Sequence, residues 1–468
     1  MTRARAILHW LLPYAASVAL TKGIALVTIP LLTGHLAPAE FARLELAATI
    51  VEFAALALSF CAADLMHRYV GAGGAKARDH GGAITGGLAL LAAGAAILLL
   101  GMTFAMRPFL GGLIDPDLLA IGLFAASLSS LIEAPLAWMR CEGRARTFLL
   151  VAATRAIAQT TLMATTLTFG YGAVGVMAGN ATVDLCIALG LVLWQRRETG
   201  LRLDSALLRE AARYAWPLLL GGLAMFALGN CSRFFLAAGL APEALAHFAL
   251  AGKLATIVAL AMQPFGLWWN ANRLAIYETP EGPARSAEAI TWGFACLCCG
   301  VTWVSLCAPP LVVLFLPAPY APAGALIPLL ALSIALNECC SLANLSVYRS
   351  GQTKAALTIN AMGACAALLG YAVLTPSFGI AGALAAAWLG HGLRLAAFIA
   401  HGARHAPMRP PTAALACMAA IVAFAVLAGR DAPSLTSATA LAICASVAIF
   451  LANFRLSVPM PAAAPLRA

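Results

Sequence analysis

The sequence predicts an all-α polytopic membrane protein of about fourteen transmembrane helices. It reads as two pseudo-symmetric six-helix lobes plus a two-helix C-terminal extension. Three observations predict this. Of 468 residues, 62% are hydrophobic and only 10% charged, and the mean hydropathy is +0.90. Apolar stretches long enough to cross a bilayer recur along the whole chain, and the alternating pattern of a membrane barrel is absent. Lys and Arg cluster between alternate spans, and features of the first half return in the second.

Taken in order, the first two spans lie near 11–34 and 44–65 and form a hairpin around Leu36-Ala37-Pro38-Ala39-Glu40-Phe41-Ala42. The ingoing run carries Lys22 and the returning run Glu52. Four spans follow near 82–105, 118–139, 148–168 and 173–194. Six more fall near 214–237, 245–269, 288–312, 324–346, 355–375 and 380–400. The last two, near 412–429 and 435–454, hold no charge until their ends, which suits either a packing appendage or one wall of a groove for a lipid tail. The organisation is therefore an N-terminal lobe over 1–197, a cytoplasmic linker over 198–213, a second lobe over 214–402 and an extension over 403–468. Within the linker, Leu201–Arg213 reads equally as a short interfacial amphipathic helix or as a polar connection.

Orientation comes from the basic residues. With the N-terminus in the cytoplasm, 21 of the 29 Lys and Arg fall in cytoplasmic segments and 3 on the opposite side. That bias supports both the span count and cytoplasmic N- and C-termini. It also accounts for the net charge of +10 without nucleic acid as a partner. The first apolar run lacks a small-residue cleavage site and is expected to stay on the chain. Most of the thirteen cysteines sit inside apolar runs and read as small apolar side chains; no metal site is expected from them.

The repeat supports the two lobes. An offset of 204 residues aligns Leu36-Ala37-Pro38 and Ala42 with Leu240-Ala241-Pro242 and Ala246. Leu131-Ile132-Glu133 is echoed by Leu336-Asn337-Glu338, Gly143-Arg144-Ala145-Arg146 by Gly351-Gln352-Thr353-Lys354, and Tyr171-Gly172-Ala173-Val174-Gly175 by Phe378-Gly379-Ile380-Ala381-Gly382. Six spans per unit is an even number, so both units start on one side, as in transporters built from parallel repeats.

Ionisable groups inside spans mark the functional candidates, because each costs about 3 kcal/mol to insert. The bases are Lys22, Arg155, Arg233, Lys253 and Arg394; the acids are Glu52, Glu133, Asp184 and Glu338. Helical spacing groups them with amides: Arg155 with Gln159, Asn180 with Asp184, Asn230 with Arg233, and Asn337 beside Glu338. Such stripes point inward, since lipid offers no hydrogen bonds. The set reads as a central cavity with excess positive charge, suited to an anionic cargo. The plainer alternative is internal pairing, with Arg155–Asp184 and Lys22–Glu52 as candidates. The acids Glu133, Asp184, Glu338 and Glu52 are candidates to bind a coupling H⁺ or Na⁺, or to pair the bases. No resident cofactor is expected.

Pro30-Leu31-Leu32, the Leu36–Phe41 turn and Trp216-Pro217-Leu218-Leu219, set in two six-helix units, resemble bacterial O-antigen and exopolysaccharide flippases of the multidrug/oligosaccharidyl-lipid/polysaccharide exporter superfamily. Ala37 and Ala42 replace the glycines of that family's usual turn. The resemblance spans roughly residues 8–402. It implies two lobes about a cationic cavity in the bacterial inner membrane. It further implies alternating-access transfer of an undecaprenyl-pyrophosphate-linked oligosaccharide to the periplasmic leaflet, with membrane lipids, a polysaccharide polymerase and other export components as partners. A cation-coupled multidrug exporter of the same superfamily is the alternative; the basic excess argues against it. A membrane polymerase or ligase would need catalytic residues on sizeable exposed loops, and the loops here are short. The phosphate-binding loop of an ATP-driven pump is absent.

Overall fold

The computed structural model describes residues 23–24, 27–71, 76–110, 114–349, 353–430 and 434–456. Its regular elements are helical, and the chain divides into two compact units. Unit 1 comprises Met1–Phe226 with Ala241–Glu243; unit 2 comprises Ala227–Leu240 and Ala244–Ala468.

Among the described residues, twelve stretches are long and apolar enough to span a membrane. One of them, Lys354–His405, has 52 residues, far more than the roughly 20 that one crossing needs. It breaks at Gly379, whose φ of 55° and ψ of −130° are not helical, into two arms that are each long enough for one crossing. The first expected span, 11–34, lies mostly outside the described residues. The result is a polytopic all-α membrane protein.

In unit 1 the helices are α1 (Pro38–Ser59), α2 (Ala62–Tyr69), α3 (Ala77–Leu110), α4 (Pro116–Ser127), α5 (Ser129–Cys141), α6 (Ala145–Thr168), α7 (Gly172–Thr199) and α8 (Ser205–Asn230). Pro38 and Pro116 stand at helix starts, where a missing N–H costs nothing. Asp115 caps α4 by accepting from the Asp117 amide at 2.9 Å. Asp204 caps α8, accepting from the amides of Ala206 and Leu207 at 3.0 and 3.1 Å. The span expected at 44–65 is interrupted: Phe60 and Cys61 adopt left-handed φ values of 47° and 53° and separate α1 from α2.

The connection before α8 is shorter than the sequence suggests. Only 200–204 is non-helical, and the stretch 205–213 is the start of a helix that runs on through the membrane. Three contacts fasten this connection to α3. The Arg202 amide donates to the Gly82 carbonyl at 3.3 Å, Arg202 pairs with Asp79 at 2.5 Å, and a Cβ on Gly86 would strike the Arg202 carbonyl. Ala211 and Ala215 of α8 then complete a core with Leu65 and Met66 of α2, Ile84 and Leu88 of α3, and Trp138 of α5.

Unit 2 contains α9 (Ser232–Gly239), α10 (Pro242–Ala255), α11 (Ile257–Tyr277), α12 (Gly282–Phe315), a 3₁₀ segment (Ala318–Leu326), α13 (Ile327–Ala343), α14 (Leu345–Arg349), α15 (Thr353–His405), α16 (Thr412–Arg430) and α17 (Leu435–Leu456). The two residues Pro242 and Glu243 that open α10 cluster with unit 1. α12 is the hub, packing on α11, α13, α16 and α17.

Two motifs that repeat in the sequence meet each other inside each unit. In unit 1, Glu40 of the Pro38 turn accepts a hydrogen bond from the Ala173 amide at 2.8 Å, beside Gly172 at φ 57°. In unit 2, Leu240 of the matching turn sits over Gly379 at φ 55°. The turn that opens each half thus packs on the tip of the hairpin that follows later in the same half.

Candidate functional site

In unit 1, a cavity of about 400 Å³ lies beside the break between α1 and α2. Ser59, Cys61, Asp64, Ser129 and Glu133 line it, together with Leu218 and Gly222 of α8. Irregular backbone within a membrane is tolerated where it lines such a cavity. Glu133 was expected on sequence grounds. Asp64 was missed, because the break that turns it towards the cavity is written in Phe60-Cys61, two residues that carry no left-handed signal. Ser129, one turn before Glu133, was legible from spacing; its hydroxyl donates to the Ala55 carbonyl at 3.1 Å.

A second polar group joins α6 to α7. Arg155 donates twice to Asp184, at 2.7 and 3.1 Å, and Gln159 donates to the same carboxylate at 2.9 Å. The Asp184 residue is 9% exposed. Of the two uses open to Arg155, this arrangement is the internal pair. Asn180 sits one turn before Asp184 on α7 and is half-buried. Glu52 is exposed on α1. Lys22 and its pairing with Glu52 lie outside the described residues.

In unit 2, Arg394 is 5% exposed. Its Nε donates to Asn360 Oδ1 at 3.1 Å and its Nη1 to Asn337 Oδ1 at 3.0 Å, with His391 Nδ1 at 3.2 Å. Among the described residues no carboxylate pairs with it. Gly363 makes room: a Cβ there would strike the Arg394 side chain. The guanidinium therefore ties α13 to both arms of α15. Asn337 was expected, and the spacing of three puts His391 on the Arg394 face; Asn360 was missed, although it sits among apolar residues of a predicted span. Arg233 on α9 and Lys253 on α10 are half-buried, as are Asn230 at the end of α8 and Glu338 beside Asn337. Among the described residues, no group of three or more His, Cys, Asp or Glu side chains is placed to hold a metal ion.

Unit 2 also holds a long apolar groove. One section, about 530 Å³, is lined by Leu297, Val301, Trp388, Val422 and Val426; the next, about 330 Å³, by Ile290, Phe398, Ala403, Met408 and Leu415. The sections share Phe294, Cys339 and Leu395, so the groove runs along α16 from Leu427 to Leu415. The last two helices differ in role. α16 walls the groove, while α17 braces α12, with Trp303 donating to Ser446 at 3.1 Å and Trp292 packed on Phe450.

The sequence matches no model of a known protein family. No curated protein matches it either. Solved structures do. The chain superposes on the lipid II flippase MurJ, in an inward closed conformation, with a TM-score of 0.74 at 8% identity, covering 96% of this chain and 99% of that one. An inward-facing multidrug resistance transporter of the MATE family, in the MOP superfamily, gives 0.57 at 16% identity over 83% of this chain and 94% of that one. The MATE multidrug transporter DinF-BH gives 0.57 at 16% identity over 83% and 92%. The protein thus has the fold shared by the lipid II flippase MurJ and by MATE transporters of the MOP superfamily.

Proposed function

We propose that this protein is a flippase for a lipid-linked anionic oligosaccharide, carried on undecaprenyl pyrophosphate. The observation that carries this reading is the groove of unit 2. It is apolar along its length and walled by α16, one of the two helices that the sequence reads as an extension. A polyprenyl tail fits such a surface, where each buried CH₂ contributes about 0.8 kcal/mol. The fold likeness agrees: the lipid flippase matches this chain over nearly its full length, whereas the multidrug transporters cover 83% of it.

On sequence grounds we assign Arg233 and Lys253 of unit 2 to the anionic head group. Arg155 and Arg394 each support the helices of their own unit, since Asp184 neutralises the first and Asn337, Asn360 and His391 hold the second. Glu133, with Asp64 beside it in the unit 1 cavity, is the carboxylate we assign to a coupling H⁺ or Na⁺. The Lys and Arg bias supports cytoplasmic termini, and the lipid-linked cargo of this reading would be met in the bacterial inner membrane. A polysaccharide polymerase would act on the product.

A deletion strain tests this: surface polysaccharide should be lost and the lipid-linked unit should accumulate on the cytoplasmic side. Undiminished polysaccharide sinks the proposal. The carboxylate-lined cavity of unit 1 favours one competing function, cation-coupled drug export. Hypersensitivity of the same strain to cationic drugs, with normal polysaccharide, would select it.

A further inference from the structure

We propose that the basic end of unit 2 carries a binding site for the phosphate of an anionic membrane phospholipid, formed by Arg273 and Arg349. The site is separate from the cargo-binding residues and does not rest on the flippase reading.

Arg273 lies in the last turns of α11 and is 6% exposed. It donates to Asn344 Oδ1 at 2.5 Å, and its guanidinium carbon lies 3.9 Å from the centre of the Tyr348 ring. Arg349 makes the reciprocal contact, 4.8 Å from the Tyr277 ring, and donates to the His405 carbonyl. Tyr277 is one helical turn beyond Arg273 on α11, and Tyr348 precedes Arg349 on α14. Two Arg–Tyr pairs therefore stand side by side, each arginine on the ring of the other helix.

The charges are left over. Among the described residues, no carboxylate pairs with either arginine. Of the nearby acids, Glu281 pairs with Arg285 at 3.5 Å and Glu278 is exposed. A guanidinium carries five N–H donors, and the contacts above use one of each. Each guanidinium lies over a ring of the helix that carries the other, so an anion that accepts from both forks would fill unused donors of both. The rings fix the orientation of each fork in advance, which lowers the cost of binding.

The surroundings point to a lipid source. α11 exposes Leu267 (67%), Trp268 (48%) and Leu274 (38%), side chains that meet lipid in a membrane. Tyr348, 53% exposed, sits at the same end, and Trp and Tyr favour the headgroup level. This end also carries Lys354, Arg404 and Arg409, the side that the basic bias assigns to the cytoplasm. The inner leaflet there is anionic.

The test is thermal unfolding of the purified full-length protein in detergent, titrated with phosphatidylglycerol, phosphatidylcholine or inorganic pyrophosphate. Phosphatidylglycerol should raise the melting temperature and the other two should not. Arg349→Gln, at an exposed position, should weaken the apparent affinity for phosphatidylglycerol about tenfold, a loss expected for one charge-assisted contact. Arg273→Gln should do the same, and should it fail to fold, Arg349→Gln carries the test alone. The double variant Arg404→Gln/Arg409→Gln, which removes more charge from the same end, should leave the titration unchanged. Equal loss in that control, an unaltered titration in Arg349→Gln, or pyrophosphate acting as well as the lipid would each overturn the proposal.

Discussion

A guanidinium inside a membrane protein must find acceptors, because hydrocarbon supplies none. Arg155 uses a carboxylate and Arg394 uses two amide oxygens. The choices predict different mutational behaviour. Removing Asp184 alone, as Asp184→Leu, strands the Arg155 charge and should cost about 2 kcal/mol in thermal unfolding. The double variant Arg155→Met/Asp184→Leu should recover most of that loss, as apolar replacement of a whole buried pair often does. If the pair serves structure, transport should recover with stability. Arg394 has no such partner to remove. It is vulnerable instead through space: Gly363→Ala should push its side chain aside and cost about 1–3 kcal/mol, read in the same melt. Sequence spacing found both arginines and named the Arg155–Asp184 pair. It did not show that Arg394 is shut away, because burial depends on which helix crosses at Gly363.

At the scale of elements, the hairpin tips offer a comparison between the units. Gly172 and Gly379 share a positive φ, which costs a non-glycine residue about 1–3 kcal/mol. Gly379→Ala should cost about that much and no more, since Leu240 leaves ordinary room for a methyl group. Gly172→Ala should cost more, because its Cβ would strike the Glu40 carboxylate, and Glu40→Ala should relieve part of the excess. Chemical denaturation of Gly379→Ala, Gly172→Ala and the double variant Gly172→Ala/Glu40→Ala decides the order. These glycines were readable in advance, as were the proline-led helix starts. The break at Phe60-Cys61 was not, since Phe and Cys hold left-handed dihedrals only when tertiary packing imposes them. The burial of Arg273 was hidden for a related reason. A basic residue near a span end reads as loop, and only the continuation of α11 to Tyr277 buries it.

For the whole molecule, the extension is the part whose purpose composition left open between appendage and groove wall. α16 walls the groove and α17 braces it from behind. Ala423→Trp should fill the groove, leave protein amount unchanged and abolish export of a lipid-linked cargo, checked by surface polysaccharide; export at the normal rate would separate the groove from cargo. The other whole-molecule feature is the placing of α8. Ala211, Tyr214 and Ala215 belong to the core of α2, α3 and α5, and the connection that leads to them is fastened along α3. During synthesis, α1 to α7 can therefore leave the translocon while the core of α2, α3 and α5 is still missing a helix. Until about residue 226 has emerged from the ribosome, the apolar faces of Leu65, Met66 and Trp138 wait uncovered in the bilayer, a window in which membrane quality-control proteases can act on the nascent chain.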